Sequence, residues 1–211
     1  MSGHFSSIDD FPKSLKSLEQ LKIRQSMLDD DHVKNLTEFV DFLRVQKGSD
    51  FVIPYFDPYD GGNKAEILFL LEAAGPMAVT TGFISRSNPD ETAKNFYLLN
   101  QEAGIERKKS IMWNIVPWYI GNGQKVRPAN KQDISDGCES LSTLIQILSK
   151  LKVIVLVGKK AQSARRVIEE ISPNMFFVEV PHTSPMFVNR HFENRVKILT
   201  ALKGIRLYLN D

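Results

Sequence analysis

The chain has 211 residues, 42% of them hydrophobic and 25% charged, with a formal net charge of +2. That length suits one domain around a single core, and a charge so close to balance does not by itself mark a nucleic-acid binder, although a local basic face is compatible with it. Cys138 is the sole cysteine, which excludes disulfide frameworks and multi-cysteine zinc or iron–sulfur sites within one chain, and no stretch approaches the ~20 apolar residues that span a bilayer.

Met1-Ser2-Gly3-His4 is polar and lacks the apolar core of a secretory signal, so a reducing, cytoplasmic setting is expected. From roughly Phe11 to Met27 apolar residues fall near helical spacing. A second helix is predicted from His32 to about Gln46, with Val33, Leu36, Phe39, Val40 and Leu43 on one face and Gly48 as its stop. Residues 1–48 are thus expected to form an N-terminal helical extension packed on a main domain of residues 49–211. Asp29-Asp30-Asp31 between the helices reads as a solvated helix start, not a metal site. Phe51 to Asn63, with two prolines and two glycines, reads as a loop.

The first buried strand is Glu66 to Leu71, whose five consecutive apolar residues are bounded by Glu72-Ala73-Ala74-Gly75-Pro76. After a connection containing Phe83, Asn88 is placed to cap a helix, with Pro89 at its first position, Glu91 completing a capping box, and an end at Ala103 before Gly104. Ser110 to Val116 is the second strand. A polar loop, Gly121 to Gln132, carries Lys125, Arg127 and Lys131. Further elements are a helix from Ile134 to Lys150, a strand from Val153 to Val157, a helix from Ala161 to Ile171 and a strand from Met175 to Val180. Ser184 and Pro185 then open a last helix to about Leu202. Short apolar strands alternating with helices predict a three-layer α/β/α sandwich around a four-stranded parallel sheet.

Three strand ends carry Glu72, Asn114 and His182, and open α/β sheets bind ligands at that edge. Each residue has a plainer reading. A Glu at a strand end is more often a solvated or paired carboxylate, a His beside prolines can simply cap a turn, and Phe83 can be ordinary core. Asn114 is more telling, because an amide between Trp113 and Trp118 needs hydrogen-bond partners, and its donor and acceptor suit the edge of a nucleobase. Gly158-Lys159-Lys160 follows a strand but lacks the glycine-rich lead-in and the Ser or Thr of a phosphate loop, and no Gly-x-Ser-x-Gly elbow is present.

In this order the motifs resemble the uracil-DNA glycosylase superfamily over about residues 51–205. Glu72-Ala73-Ala74-Gly75-Pro76 is similar to its Glu-Ala-Pro-Gly motif, and Phe83 falls at its base-stacking aromatic. Trp113-Asn114-Ile115-Val116-Pro117 is similar to the strand whose Asn recognises uracil, and His182-Thr183-Ser184-Pro185 to the His-Pro-Ser-Pro motif. Ala74 and Thr183 replace prolines of that pattern. Asp57-Pro58-Tyr59-Asp60 mimics the Asp-Pro-Tyr-His string of one branch but precedes the first buried strand, so it reads as a coincidental loop.

The resemblance implies excision of uracil or a related damaged base from DNA by a monomer that needs no metal or cofactor. It assigns Glu72 and His182 to catalysis and Phe83 and Asn114 to the base. Lys125, Arg127, Ser184, Met186, Phe187 and Arg190 fall to DNA contact, with the two apolar residues filling the gap in the duplex. The alternative is a non-catalytic nucleobase, nucleotide or nucleic-acid binder that retains the fold.

Overall fold

The structure, a computed structural model, describes residues 10–122 and 126–210, with the side chain of Asn210 outside the description. In chain order its elements begin with α1 (Leu18–Ser26), α2 (Lys34–Lys47), β1 (Tyr55–Phe56), β2 (Ile67–Ala74), α3 (Pro76–Thr81), β3 (Phe83–Ile84), α4 (Glu91–Ala103) and β4 (Ser110–Tyr119). They continue with α5 (Lys131–Cys138), α6 (Leu141–Ile147), β5 (Val153–Val157), α7 (Lys159–Ser163), α8 (Arg165–Ile171), β6 (Phe176–Val180), α9 (Pro185–Val188) and α10 (Phe192–Asn210). The predicted sheet is present: four parallel strands in the order β4-β2-β5-β6. Val153 to Val157 is buried throughout, as its apolar run requires of a strand covered on both faces.

Alternation along the strands sorts side chains between two helical layers. Phe69 of β2 meets Phe96 of α4 edge to face at 4.9 Å, and α10 packs on α4 and β6 on that side. Trp113 of β4 points the other way, stacked on Phe56 at 4.0 Å and 6.1 Å from Phe39 of α2. Leu36, Phe39, Val40 and Leu43 of α2 belong to the same apolar core as the sheet.

Several boundaries differ from expectation for identifiable reasons. β2 and β4 remain paired beyond Leu71 and Val116, through a register shift at Ala73/Ala74, so Glu72 lies within its strand rather than after it, and Asn114 lies in the middle of β4. Pro117 is compatible with β4 because this is an edge strand. Tyr55–Phe56, read as loop, pairs with Phe83–Ile84 in a two-stranded parallel sheet. The first helix is shortened by a 3₁₀ turn at Ser14–Lys16, and each of the three long C-terminal helices is broken in two. Gly137 of α5 sits so close to β4 that a Cβ there would lie 2.0 Å from the Ile115 carbonyl oxygen. Asp90, not Asn88, caps α4, accepting from the Ala93 amide at 2.9 Å, while Asn88 donates to the Phe83 carbonyl and accepts from Thr81. Among the described residues no helix is long and apolar enough to cross a membrane.

Candidate active site

A cavity of about 610 Å³ opens at the C-terminal side of the sheet, and its wall brings together Glu72, Asn114, Arg127 and His182 with Asp90 and Asn88. Asn114 is held there by register. It pairs with Leu71, one step beyond the Leu70–Trp113 pair, so its side chain faces opposite to the buried indole. It is 3% exposed, yet no hydrogen bond to another described residue engages its amide. A buried amide facing a cavity without a protein partner is set up to bond something that enters.

His182 follows β6. Its Nδ1 accepts from the Ser184 backbone N–H at 3.1 Å, which leaves Nε2 as the protonated, donating nitrogen of a neutral ring. Burial pushes the imidazole pKa down, against the upward pull of Glu72 and Asp90. Gly158, at φ 85°, makes room for this ring, since a Cβ there would lie 3.2 Å from His182 Cβ. Thr183, standing where a proline was expected, is 2% exposed and stitches the loop to α4. Its hydroxyl donates to the Thr92 carbonyl at 3.3 Å, and its own carbonyl accepts from Asn95 at 3.1 Å.

Glu72 reaches across to the strap of residues 126–130, accepting from the Ala129 amide at 2.7 Å, while Lys160 donates to the Ala129 carbonyl at 2.6 Å. On the same strap Arg127 makes a forked pair with Asp133, at 2.5 and 2.8 Å. Lys125 lies outside the described residues. Phe83 was expected to stack on a base, but it is 1% exposed and does not line the cavity, so apolar contact there falls to Ile84 and Phe96. Ser184 begins α9, Met186 projects from it at 86% exposure, Phe187 packs partly against the core, and Arg190 is exposed.

Asp57 and Asp60, from the string read as a coincidental loop, are both fully buried in an ion network. Arg24 lies 3.3 Å from Asp57, and Arg107 donates to Asp57 at 2.6 Å, to Asp60 at 2.8 Å and also to Asp10. The Ser85 hydroxyl donates to Asp57, which ties this network to the cavity wall. Sequence reading missed these pairings and also missed Asp90 as a wall residue, for which the Asn-Pro-Asp-Glu run signalled only a helix start. Among the described residues no group of three or more His, Cys, Asp or Glu side chains is placed to hold a metal ion.

A family model described as "Uracil DNA glycosylase superfamily" matches residues 58–203. Among solved structures, SMUG2 from Pedobacter heparinus is similar in fold, with a TM-score of 0.55 at 13% identity, covering 84% of this chain and 85% of that one. The solution structure of a candidate uracil DNA glycosylase from Methanosarcina acetivorans gives a TM-score of 0.47 at 14% identity, over 68% of this chain and 92% of that one. No match is found among curated proteins.

Proposed function

The chain belongs to the uracil DNA glycosylase superfamily, and from that premise we propose that it hydrolyses the N-glycosidic bond of uracil in DNA, the first step of base excision repair. The observation that carries this reading is the buried, unengaged amide of Asn114 facing the cavity that also holds His182. A base inside a duplex cannot reach such a cavity, so the nucleotide must swing out of the stack to enter it.

As the C1′–N1 bond breaks, negative charge gathers on the departing uracil and positive charge on the sugar. His182 answers the first. Its ring is already oriented by the Ser184 amide, so its Nε2–H meets the uracil carbonyl oxygen with no reorganisation at the moment of reaction. Glu72 answers the second. One carboxylate oxygen is fixed on the Ala129 amide, and the carboxylate positions or activates the water that bonds to C1′ and favours the cationic sugar. Asn114 reads the edge of the base, while Ile84 and Phe96 supply apolar wall.

Outside the cavity, Met186 is the exposed apolar wedge that fills the space left in the duplex, with Phe187 and Ser184 seating the turn that carries it. Lys125, Arg127 and Arg190 meet phosphates. The test is an oligonucleotide with a single uracil, incubated with the protein and then treated with alkali to cleave abasic sites. Wild-type protein is expected to yield cleavage at the uracil, and His182→Ala to slow excision by about 10²–10³-fold, the cost of losing one preorganised donor. Uracil-containing DNA that is bound but left intact would refute the hydrolase and favour the non-catalytic binder.

A further inference from the structure

The run Gly158-Lys159-Lys160, which lacks the surroundings of a phosphate loop, carries β5 into α7 and reaches toward both groups assigned to catalysis. Gly158 lies against the His182 ring, and its N–H donates at 2.8 Å to the carbonyl of Val180, where β6 ends two residues before that histidine. The Gln162 amide donates to the same carbonyl at 3.1 Å. Lys160 reaches in the other direction. Its ammonium donates to the Ala129 carbonyl at 2.6 Å, and the Ala129 N–H donates to Glu72 at 2.7 Å. Ala129, only 1% exposed, is thus held from both sides.

We propose that Lys160 is a positioning residue of this site, which fixes the Ala129 carbonyl and thereby sets the amide that holds the Glu72 carboxylate; the proposal rests on the glycosylase reading above. Lys160 does not line the cavity, so it acts only through what it holds. One turn after β5 then seats both catalytic groups, Glu72 through its lysine and His182 through its glycine.

A lysine near a cleft for DNA has a plainer use as a phosphate contact, with its ammonium in water. Lys159, which is exposed, fits that use. Lys160 does not, because it is half-buried and its ammonium is spent on a buried carbonyl. The strap needs that donor. Its flanks are tied elsewhere, Arg127 to Asp133 and Asn130 as the cap of α5, so the peptides of Ala129 between them depend on their own bonds. A buried carbonyl that loses its donor is driven to turn toward water. That turn would draw the neighbouring amide off Glu72, and a reacting group misplaced by about 1 Å costs on the order of 10²-fold in rate.

Lys160→Met keeps an apolar stem and removes the donor. Single-turnover excision of uracil at saturating protein is measured for this change in the wild-type and Glu72→Gln backgrounds. Affinity for the same duplex carrying non-hydrolysable 2′-fluoro-deoxyuridine is followed across a salt series, with thermal melting alongside. The expected result is a rate loss of about 10–100-fold in the wild-type background, the scale of a misplaced group, with affinity and salt slope unchanged. Where Glu72 is already Gln, the further loss should stay below about 3-fold, since two changes that act through one contact do not add. The same fold-loss in both backgrounds means that the change loosens the protein generally, and overturns the proposal. So does a rate within about 3-fold of wild type, whether alone or with a salt slope lower by about one, which would make Lys160 a phosphate contact. Should Lys160→Met not fold, the same readings on Lys160→Gln, whose shorter side chain also gives up the contact, decide in the same way. A wild-type protein that binds the analogue but excises nothing overturns the glycosylase reading and this proposal together; an active wild type with an equally active variant overturns this proposal alone.

Discussion

Uracil presents an acceptor at O4 beside a donor at N3, and the amide of Asn114 offers the complement of both. Cytosine reverses the pair, so its entry would leave two mismatched groups in a dry cavity, each costing on the order of 1–3 kcal/mol. Asn114→Asp removes the donor that O4 needs and creates an acceptor suited to the cytosine amino group. Uracil excision should collapse and a faint cytosine activity appear, scored on oligonucleotides carrying either base. A variant as fast on uracil as wild type would show that Asn114 does not read the base. His182 sets the pH dependence. Its neutral ring is the competent donor and burial lowers its pKa, so the rate should hold from neutral pH to below the ordinary imidazole value of ~6.5 and fall only with further acid. The sign for stability agrees: the folded protein binds this proton less readily than the unfolded chain, so His182 withdraws stability as pH drops below the unfolded value. Because Glu72 and Asp90 also face the cavity, the limb that belongs to His182 is the one missing from the profile of His182→Ala.

At the scale of elements, the sheet was legible because strands covered on both faces must be apolar throughout, as Val153 to Val157 and Ile67 to Leu71 are. Where those strands stop was not. Backbone pairing carries β2 through Glu72 to Ala74 and β4 through Asn114 to Tyr119, and composition does not record pairing. Helix breaks at residues 139–140, 164 and 189–191 were hidden for a similar reason, since apolar spacing continues across them. The run Asn88-Pro89-Asp90-Glu91 pointed to Asn88 as the cap, whereas Asp90 takes that place. Asn88 does not cap because its side chain is spent elsewhere, its amide donating to the Phe83 carbonyl and its oxygen accepting from Thr81. The motif residues Glu72, Asn114 and His182 were readable as a set, whereas the groups that hold them, from Ala129, Ser184 and Gly158, are distant in sequence or belong to the backbone. The strap after β4 is the element whose role is easiest to test. Arg127 is fixed there by Asp133, and Lys125 is its neighbour in sequence. Replacing both with Ala should weaken DNA binding equally for all sequences and reduce the slope of log affinity against log salt by about one for each phosphate no longer neutralised. An unchanged slope would remove the strap from the DNA interface.

For the molecule as a whole, the N-terminal helix α1 is joined to the sheet domain by charge as well as by apolar packing. Arg24 of α1 is 0% exposed, lies 3.7 Å over the Tyr59 ring and donates to Gln20 at 2.6 Å, with Asp57 3.3 Å away. Burial alone would push the Asp57 carboxyl up, but Arg107 and Arg24, with the Ser85 hydroxyl and the Tyr59 amide, hold it below the usual carboxylate range. Asp60, with one oxygen unpartnered, goes the other way, its pKa raised chiefly by burial despite Arg86 and Arg107. The two therefore act oppositely on stability. Asp57 contributes stability above its unfolded pKa of ~3.9 and loses it as pH falls, while the cost of keeping Asp60 ionised disappears as pH falls through its raised value. Arg24→Met keeps an unbranched apolar stem and removes the guanidinium with its charge. Breaking one side of a buried pair leaves an uncompensated carboxylate, so urea unfolding at pH 7 should show a loss of about 3–5 kcal/mol. Because that loss is the energy of a charge left partly unpaired, it should shrink as the pH is lowered toward the carboxylate range and Asp57 takes up a proton. A loss of the same size at both pH values would mean that the Arg24 guanidinium holds α1 through Tyr59, Gln20 and Ser14 and not through Asp57.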